Sequence, residues 1–498
     1  MDQTIELAAA PARLSLGEKL LVAVALYFLA LKLVYAFNAG PIADEAYYWL
    51  WGRHFSIGYF DHPPLLGWLN GIIYSVLGRS LFALRLPSLL ALAAALFIFY
   101  DVARRIGGDK WRLVFLKSTV IYLASPLFGF YGSVVFVDYL LVIMVMASGY
   151  FFIRFFADFE ETGRGRAADI VAAALFLGCA GLTKFTGGFL GLAVAGAVLT
   201  RRPLWPLLRR WEIYAAAAIA LGMQLPQLLF QLQQGFATFQ FHAVDRFDGA
   251  RFTGFDVSRM KATVLDTMGM LSPFLVPVIV SFFIRRQRDR FQRVGKTLAI
   301  WTFWLSSLLF LYIANFATVL WWWNAVAFVL VMAFTGRYMD RISLGLHAVY
   351  GLVINSVSLL SYAVLPVSLL AGMAPIMESQ STHGWNQTAA ALAAAKSQHG
   401  AAFIASNRYQ TASQIAFALD DKDVAELSPR HTAFDDWFDF EAYRGKDAIV
   451  LFEARDDEEY WRTRFERVTP IGEVRIERFG YLLNTYRLFL GEGFIGSP

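Results

Sequence analysis

The apolar residues of this chain are gathered into long blocks with few polar interruptions, and that arrangement limits its folds more than any other feature. Leu20 to Ala36, Leu81 to Tyr100, Val134 to Ile153, Tyr214 to Phe230 and Trp301 to Ile313 are examples. A half-buried strand or a surface helix alternates apolar with polar positions. A hydrocarbon core of roughly 30 Å instead demands about 20 mainly apolar residues in a row. The composition agrees, with 57% of the 498 residues hydrophobic and only 17% charged, against about 25% charged in soluble domains. The chain reads as a polytopic integral membrane protein.

About eleven spans are expected, near 16–37, 80–102, 112–127, 132–156, 167–182, 185–200, 211–231, 262–284, 297–314, 317–335 and 342–372. The block after Lys19 reads as an uncleaved first span, because no short apolar stretch followed by a small-residue cleavage site precedes it. Alternate loops carry the positive charge: Arg104, Arg105, Lys110 and Arg112; Arg164 and Arg166; Arg201, Arg202, Arg209 and Arg210; the run from Arg285 to Lys296; Arg337 and Arg341. The opposite short connections, near 128–131, 183–184 and 314–316, hold only Lys184. Positive charge marks the cytoplasmic side, so the N-terminus is expected inside and, with an odd number of spans, the C-terminus outside. The loops 38–79 and 232–261 and the segment 373–498 then share the outer face. The net charge of +5 follows from these loops and does not call for nucleic acid. The single Cys179 lies in an apolar stretch and excludes an intramolecular disulfide.

Residues 1–372 are thus expected to form an all-α membrane domain, and 373–498 a small extracytoplasmic α/β domain. The latter segment is charged and mixes strand-like runs, Ala401 to Ala405 and Ala448 to Phe452, with helix-like ones, Thr388 to Ser397 and Tyr409 to Leu419.

Chemistry concentrates in the first outer loop. It reads Pro41-Ile42-Ala43-Asp44-Glu45-Ala46-Tyr47-Tyr48-Trp49-Leu50-Trp51 and then Tyr59-Phe60-Asp61-His62-Pro63-Pro64-Leu65. The aromatic stretch suits a helix lying in the membrane interface, and Pro63-Pro64 fixes an extended turn after Asp61 and His62. Carboxylates and an imidazole are thereby placed at the membrane surface, unless they are ordinary solvated loop charges. Asp138 is read either as a substrate contact or as a locally satisfied helix-end charge. Lys184 interrupts two apolar spans, and charges at such depth are costly and usually functional; the alternative is a snorkelling helix end. The segment 231–261 interleaves aromatics with His242, Arg246 and Arg251, as a mobile flap or a solvated loop. Trp321-Trp322-Trp323 reads chiefly as interfacial belt or helix packing.

The acidic pair after the first span and the Asp-His-Pro-Pro-Leu run resemble the protein O-mannosyltransferase and lipid A aminoarabinose transferase superfamily, glycosyltransferases of the GT-C type. Val137-Asp138, Gly181-Leu182-Thr183-Lys184 and Phe236 to His242 extend the likeness, as do Ser406-Asn407-Arg408-Tyr409 and Phe434-Asp435-Asp436-Trp437. The resemblance implies a GT-C fold and transfer of one sugar, with inversion, from a polyprenyl-phosphate carrier to an acceptor outside a bacterial inner membrane. Lipid A, lipopolysaccharide core or another glycolipid is the acceptor it favours. By motif position Asp44 is the general base and Asp61 its catalytic partner. Glu45, His62, Asp138, Lys184, His242, Arg246 and Arg251 are the expected substrate contacts. His62 stands where the aminoarabinose transferases carry Lys, which leaves open whether it touches phosphate or orients Asp61. No metal site or cofactor is assigned, although Asp44, Asp61 and Asp138 are oxygen ligands that suit a divalent cation. The rival functions are a transporter or flippase, whose halves usually match and whose sites lie at the midplane, and a protein O-glycosyltransferase.

Overall fold

The computed structural model of the chain describes residues 14–236, 238, 240, 254–374, 377–453 and 458–496. Ten helices run from the N-terminus to residue 233: α1 (Leu16–Asn38), α2 (Ala43–Arg53), α3 (Leu65–Leu77), α4 (Leu81–Ile106), α5 (Trp111–Ala124), α6 (Val137–Thr162), α7 (Ala167–Thr183), α8 (Gly188–Thr200), α9 (Trp211–Gly222) and α10 (Leu225–Gln233). The helices Val257–Leu271, Val276–Ile284, Arg290–Ile313, Val326–Thr335 and Arg341–Ala363 follow. Among the described residues six segments are long and apolar enough to cross a membrane, α9 and α10 counting as one, and the bent pair at 257–284 would make a seventh. Shorter apolar helices, α3, α7, α8 and Val326–Thr335, pack among them. The chain is a multi-pass membrane protein.

Each expected span coincides with a helix or helix pair, and the departures have local causes. The 262–284 block is bent by 99° between its two helices. Pro273 supplies no N–H and keeps the preceding residue out of helical conformation; Ser272 stands at a positive φ of 91°. The carbonyls freed by the break are not left bare: Met270 O accepts the Leu127 N–H at 2.8 Å, and Gly269 O accepts the Tyr350 hydroxyl at 2.8 Å. Irregular backbone inside a membrane bundle persists only where protein groups satisfy it in this way. In 317–335 only Val326–Thr335 is helical, and the tryptophan run forms turns.

α6 is the axis of the bundle. Its apolar window is 83% buried, against 28% for α1 and for Arg341–Ala363, so α6 is apolar all round while the outer helices turn one face to lipid. Asp138 and Glu160 lie at its two ends, roughly 33 Å apart at about 1.5 Å per residue. Around Glu160 sits a basic cluster paired with acids: Arg201–Glu160 at 2.6 Å, Arg290–Glu161 at 3.0 Å and Arg105–Asp101 at 2.5 Å. The opposite end carries the acidic first loop.

That loop is fixed by a fully buried ion pair. The Arg85 guanidinium, one turn into α4, meets the Glu45 carboxylate of α2 at 2.8 Å, both side chains 0% exposed. Every remaining lone pair and proton is used. Glu45 also accepts the Val135 N–H at 3.0 Å and the Ile42 N–H at 3.1 Å, while Arg85 donates to the carbonyls of Tyr35, Ala39 and Gly40 at 3.1, 2.6 and 2.9 Å. A single pair therefore ties together the end of α1, the start of α2, α4 and the irregular segment before α6. Gly40 permits a close approach here, because a Cβ would lie 2.0 Å from the Thr382 carbonyl oxygen.

Residues 385–494 build a five-stranded sheet of order β2-β1-β3-β5-β4, with β1 (Phe403–Ser406), β2 (Ala425–Glu426), β3 (Ala448–Phe452), β4 (Phe465–Arg478) and β5 (Tyr481–Phe494). β2, β1 and β3 are parallel and every residue in them is buried; β3 is a continuous apolar run, whereas β1 and β2 end on the buried polar residues Ser406 and Glu426. The long β4–β5 hairpin turns on Phe479 and Gly480, both at positive φ (53° and 81°), as a two-residue turn matched to strand twist requires. The sheet domain sits on α2. Arg53 pairs with Asp420 at 2.7 Å, Gln414 donates to the Pro41 carbonyl at 2.6 Å, and the His54 ring stacks on Trp437 at 4.6 Å.

Removing one partner of a buried ion pair strands the other charge, at about 3–5 kcal/mol. Glu45→Gln or Arg85→Met is expected to abolish cooperative thermal unfolding of the detergent-purified chain near the wild-type midpoint. Glu45→Leu combined with Arg85→Met should recover part of the loss, and unchanged midpoints in the single variants would show that the pair carries no structural weight.

Candidate active site

A cavity of about 510 Å³ opens where the bundle meets the sheet domain. Asp44, Asp61, His62, Asp138 and Lys184 line it, as do Tyr47, Tyr48 and Phe136. The sheet domain supplies Tyr409 and Arg430, and the tryptophan run supplies Trp322 and Trp323. Residues hundreds of positions apart in sequence thus face one volume.

Three of the carboxylates owe their placement to helix ends and one turn. Asp44 lies in the first turn of α2 and Asp138 in the first turn of α6, where unsatisfied N–H groups and the macrodipole favour negative charge. Asp61 stands in the loop between α2 and α3, which closes on itself through the Tyr59 N–H to His62 carbonyl bond at 3.1 Å and the Tyr59 hydroxyl to Trp51 carbonyl bond at 2.6 Å. The Tyr47 hydroxyl donates a very short hydrogen bond to Asp61 and accepts the Ala433 N–H at 3.3 Å. Burial, the facing Asp61 carboxylate and that hydrogen bond hold the Tyr47 phenol well above its ordinary pKa, so it stays a donor at neutral pH. Tyr48 is raised likewise, first by burial and then by Asp44, Asp138, Tyr409 and Asp61. These groups surround its ring, and the cavity is a focus of negative charge.

Cations balance it. Lys184 ends α7 in extended conformation, and its ammonium meets Asp138 at 2.6 Å with the two side chains 15% and 9% exposed. The same ammonium lies 5.9 Å from the Trp323 ring centroid. The Arg430 guanidinium stands 5.9 Å from the Tyr409 ring centroid, across from the membrane helices. Among the described residues no group of three or more His, Cys, Asp or Glu side chains is placed to hold a metal ion.

Asp44, Asp61, His62, Asp138 and Lys184 are therefore brought together in one cavity. Glu45 is not: its carboxylate is consumed by Arg85 and two backbone N–H groups, so it positions the loop and does not line the cavity. His242, Arg246 and Arg251 lie outside the described residues. The structure adds Tyr47, Tyr48, Trp322, Trp323 and Arg430. A charge in an apolar span is a legible warning, and it would have singled out Arg85. No local signal marks Arg430, which reaches the cavity only through the docking of the sheet domain.

Residues 61–230 match the family described as dolichyl-phosphate-mannose-protein mannosyltransferase. The lipid A galacturonosyltransferase RgtD of Rhizobium johnstonii is 25% identical over 281 residues, which cover 55% of this chain and 55% of that protein. An undecaprenyl phosphate-alpha-4-amino-4-deoxy-L-arabinose arabinosyl transferase of Sodalis glossinidius is 26% identical over 174 residues, 35% of this chain and 30% of its own. The chain thus spans about half, or less, of the curated relatives it matches. ArnT from Cupriavidus metallidurans, solved bound to undecaprenyl phosphate, superposes with a TM-score of 0.64 at 15% identity, over 96% of this chain and 99% of that one. The apo form of that protein aligns with the same score, over 95% and 98%. The fold is therefore that of ArnT, of the GT-C type, and the likeness drawn from the motifs is present in both sequence and fold.

Two histidines lie at the junction of the domains. Burial lowers His54 and His383 to about 4, with Arg478 adding to the shift of His383. Between roughly pH 6.5 and 4 the unfolded chain then binds more protons than the folded one, so stability falls as pH falls through that window. Amide protection factors in 409–419, with the intrinsic slowing of exchange at lower pH divided out, are expected to fall on acidification over that range. A His54→Gln variant should show a shallower dependence; an identical pH profile would remove His54 from the junction's energetics.

Proposed function

We propose that this chain is a glycosyltransferase that moves a single sugar from a polyprenyl-phosphate carrier to a hydroxyl acceptor at the outer face of a bacterial inner membrane. The observation that carries the reading is the convergence of Asp44, Asp61 and Asp138 with Lys184 and Arg430 on one cavity at the membrane end of the sheet domain. A transporter or flippase would place its polar groups near the midplane between matching halves; here they gather at one end of the bundle.

The residues divide into roles by their chemistry. Asp44 takes the proton of the acceptor hydroxyl as its oxygen attacks the anomeric carbon from the face opposite the carrier, which inverts that centre. The bond from the anomeric carbon to the carrier's phosphate oxygen breaks, and its electron pair leaves with the phosphate. Lys184 and Arg430 meet the growing charge on that group, and fixed cations in a partly dry site stabilise such charge far better than water does. Asp138 holds the Lys184 ammonium at 2.6 Å. Asp61, held by Tyr47, and His62 bind sugar hydroxyls or shape the field on Asp44. His242, Arg246 and Arg251 stay candidates for the donor clamp, and the scheme assigns no metal or cofactor.

The membrane orientation follows from charge. The clusters with Arg105, Arg201 and Arg290 lie at the far end of α4, α6 and their neighbours, which supports a cytoplasmic location for that end. Residues 1–372 then form the catalytic membrane domain, and 373–498 cap it from the periplasm. Relatives named for lipid A and for undecaprenyl-phosphate-linked aminoarabinose support a polyprenyl donor and a lipid A, lipopolysaccharide-core or related glycolipid acceptor.

Loss of a general base typically costs about 10²–10⁴ in rate. Asp44→Asn is expected to lose that much turnover in membranes while keeping its thermal midpoint, and near wild-type turnover would end the assignment. Lys184→Ala should cost on the order of 10²–10³. Mass spectrometry of lipopolysaccharide and lipids from cells with and without the protein should show one added sugar on one acceptor; identical spectra would count against the whole reading.

A further inference from the structure

A second crevice, of about 350 Å³, lies in the sheet domain and shares Tyr409 and Arg430 with the catalytic cavity as a common wall. It sits beyond the carboxyl ends of β1 and β2, which run parallel with Ser406 opposite Glu426. In open parallel sheets ligands bind outside the carboxyl ends of the strands. The helix Tyr409–Leu419 begins at the same place, and Arg408, Tyr409 and Gln410 at its start line the crevice.

What sets this crevice apart is polar capacity left unused in a buried wall. Glu426 lines it and is only 3% exposed. One of its carboxyl oxygens accepts the Thr432 hydroxyl at 3.2 Å and Ser428 approaches the carboxyl with its hydroxyl and N–H, yet Oε1 makes no hydrogen bond of standard geometry. Trp461, also in the lining and 1% exposed, has an indole N–H without an acceptor. Leaving buried polar atoms unsatisfied costs about 1–3 kcal/mol each, and native folds seldom tolerate it without a reason. Burial pushes the Glu426 carboxyl up to about 7, so near neutrality it can either accept or donate. Tyr409, Tyr460 and Trp461 add aromatic faces, and Arg408 and Arg430 add cations beside them. Asn407 is spent on structure, its amide exchanging hydrogen bonds with the Glu453 backbone at 3.2 and 3.1 Å.

We propose that this crevice is a binding subsite for a phosphorylated saccharide, the head group of the acceptor. Glu426 and the Trp461 N–H take sugar hydroxyls, the aromatic rings take the apolar face of the sugar ring, and Arg408 takes the anionic group, while Arg430 in the shared wall serves the donor phosphate. The shared wall would present an unoccupied hydroxyl of the same saccharide to Asp44. The substrate role rests on the transferase reading; the binding site itself does not.

The test uses the full chain purified in detergent and ligand-observed NMR, with glucose 6-phosphate, glucose and inorganic phosphate as separate probes. Glucose 6-phosphate should bind, and Glu426→Gln and Trp461→Phe should each weaken it at least ~10-fold with thermal midpoints near wild type. Equal affinity in wild type, Glu426→Gln and Trp461→Phe would overturn the proposal, as would equally tight binding of inorganic phosphate alone. A chain that binds the sugar phosphate here yet transfers nothing would sink the transferase reading and leave the subsite standing. In a transfer assay the two crevice variants should raise the KM for acceptor and leave the KM for donor unmoved.

Discussion

Two opposite charges with no access to water, Glu45 and Arg85, hold the loop on which the cavity depends. Burying such a pair is expensive, and swapping it for apolar residues often costs nothing. Its value here is geometric. Arg85 reaches three carbonyls at the end of α1, and Glu45 reaches the backbone N–H groups of Ile42, before α2, and of Val135, before α6. A Leu–Met contact would fill the space without fixing any of these directions. The neighbouring residue, Asp44, is thereby held in the first turn of α2 at the cavity wall.

From that anchor the site is assembled by helix ends. Asp44 and Asp138 begin helices, Lys184 ends one, and Tyr409 begins another. Helix ends are where backbone polarity is unsatisfied and where the chain changes direction, so side chains from separate elements can converge there. Tyr47 links the halves of the arrangement, one side of its hydroxyl on Asp61 and the other on the backbone of Ala433. The sheet domain is thus a wall of the cavity as well as a lid, and docking forces weakened at low pH would reach the site through this residue.

Much of this was legible beforehand. Long apolar blocks located the six or seven helical segments that can cross a membrane, because the hydrocarbon core imposes their length, but the expected eleven spans include blocks whose helices are shorter than that. The tail's strands at 401–405 and 448–452 were readable as buried apolar runs. The β4–β5 hairpin was not, since β4 carries exposed polar residues along most of its length and the tight turn is headed by Phe479, a poor residue for positive φ. Among site residues, Asp44, Asp61, His62, Asp138 and Lys184 were visible as polar groups next to apolar blocks. Glu45 was visible in the same way and was misplaced, because adjacency in sequence on a helix sends neighbouring side chains about 100° apart.

By itself, then, the sequence determined a multi-pass bundle, the end of it that gathers acids, and the sorting of basic residues to the other end, because lipid thickness and charge asymmetry act on local composition. Only the tertiary structure decided which acid faces the cavity and which locks the loop. It alone brought Arg430 and Tyr409 across nearly 400 positions of chain to face Asp44. Those outcomes depend on helix phase, on a partner as remote as Arg85, and on how the sheet domain docks. None of these is encoded in any one stretch of residues, since each is fixed by packing between elements.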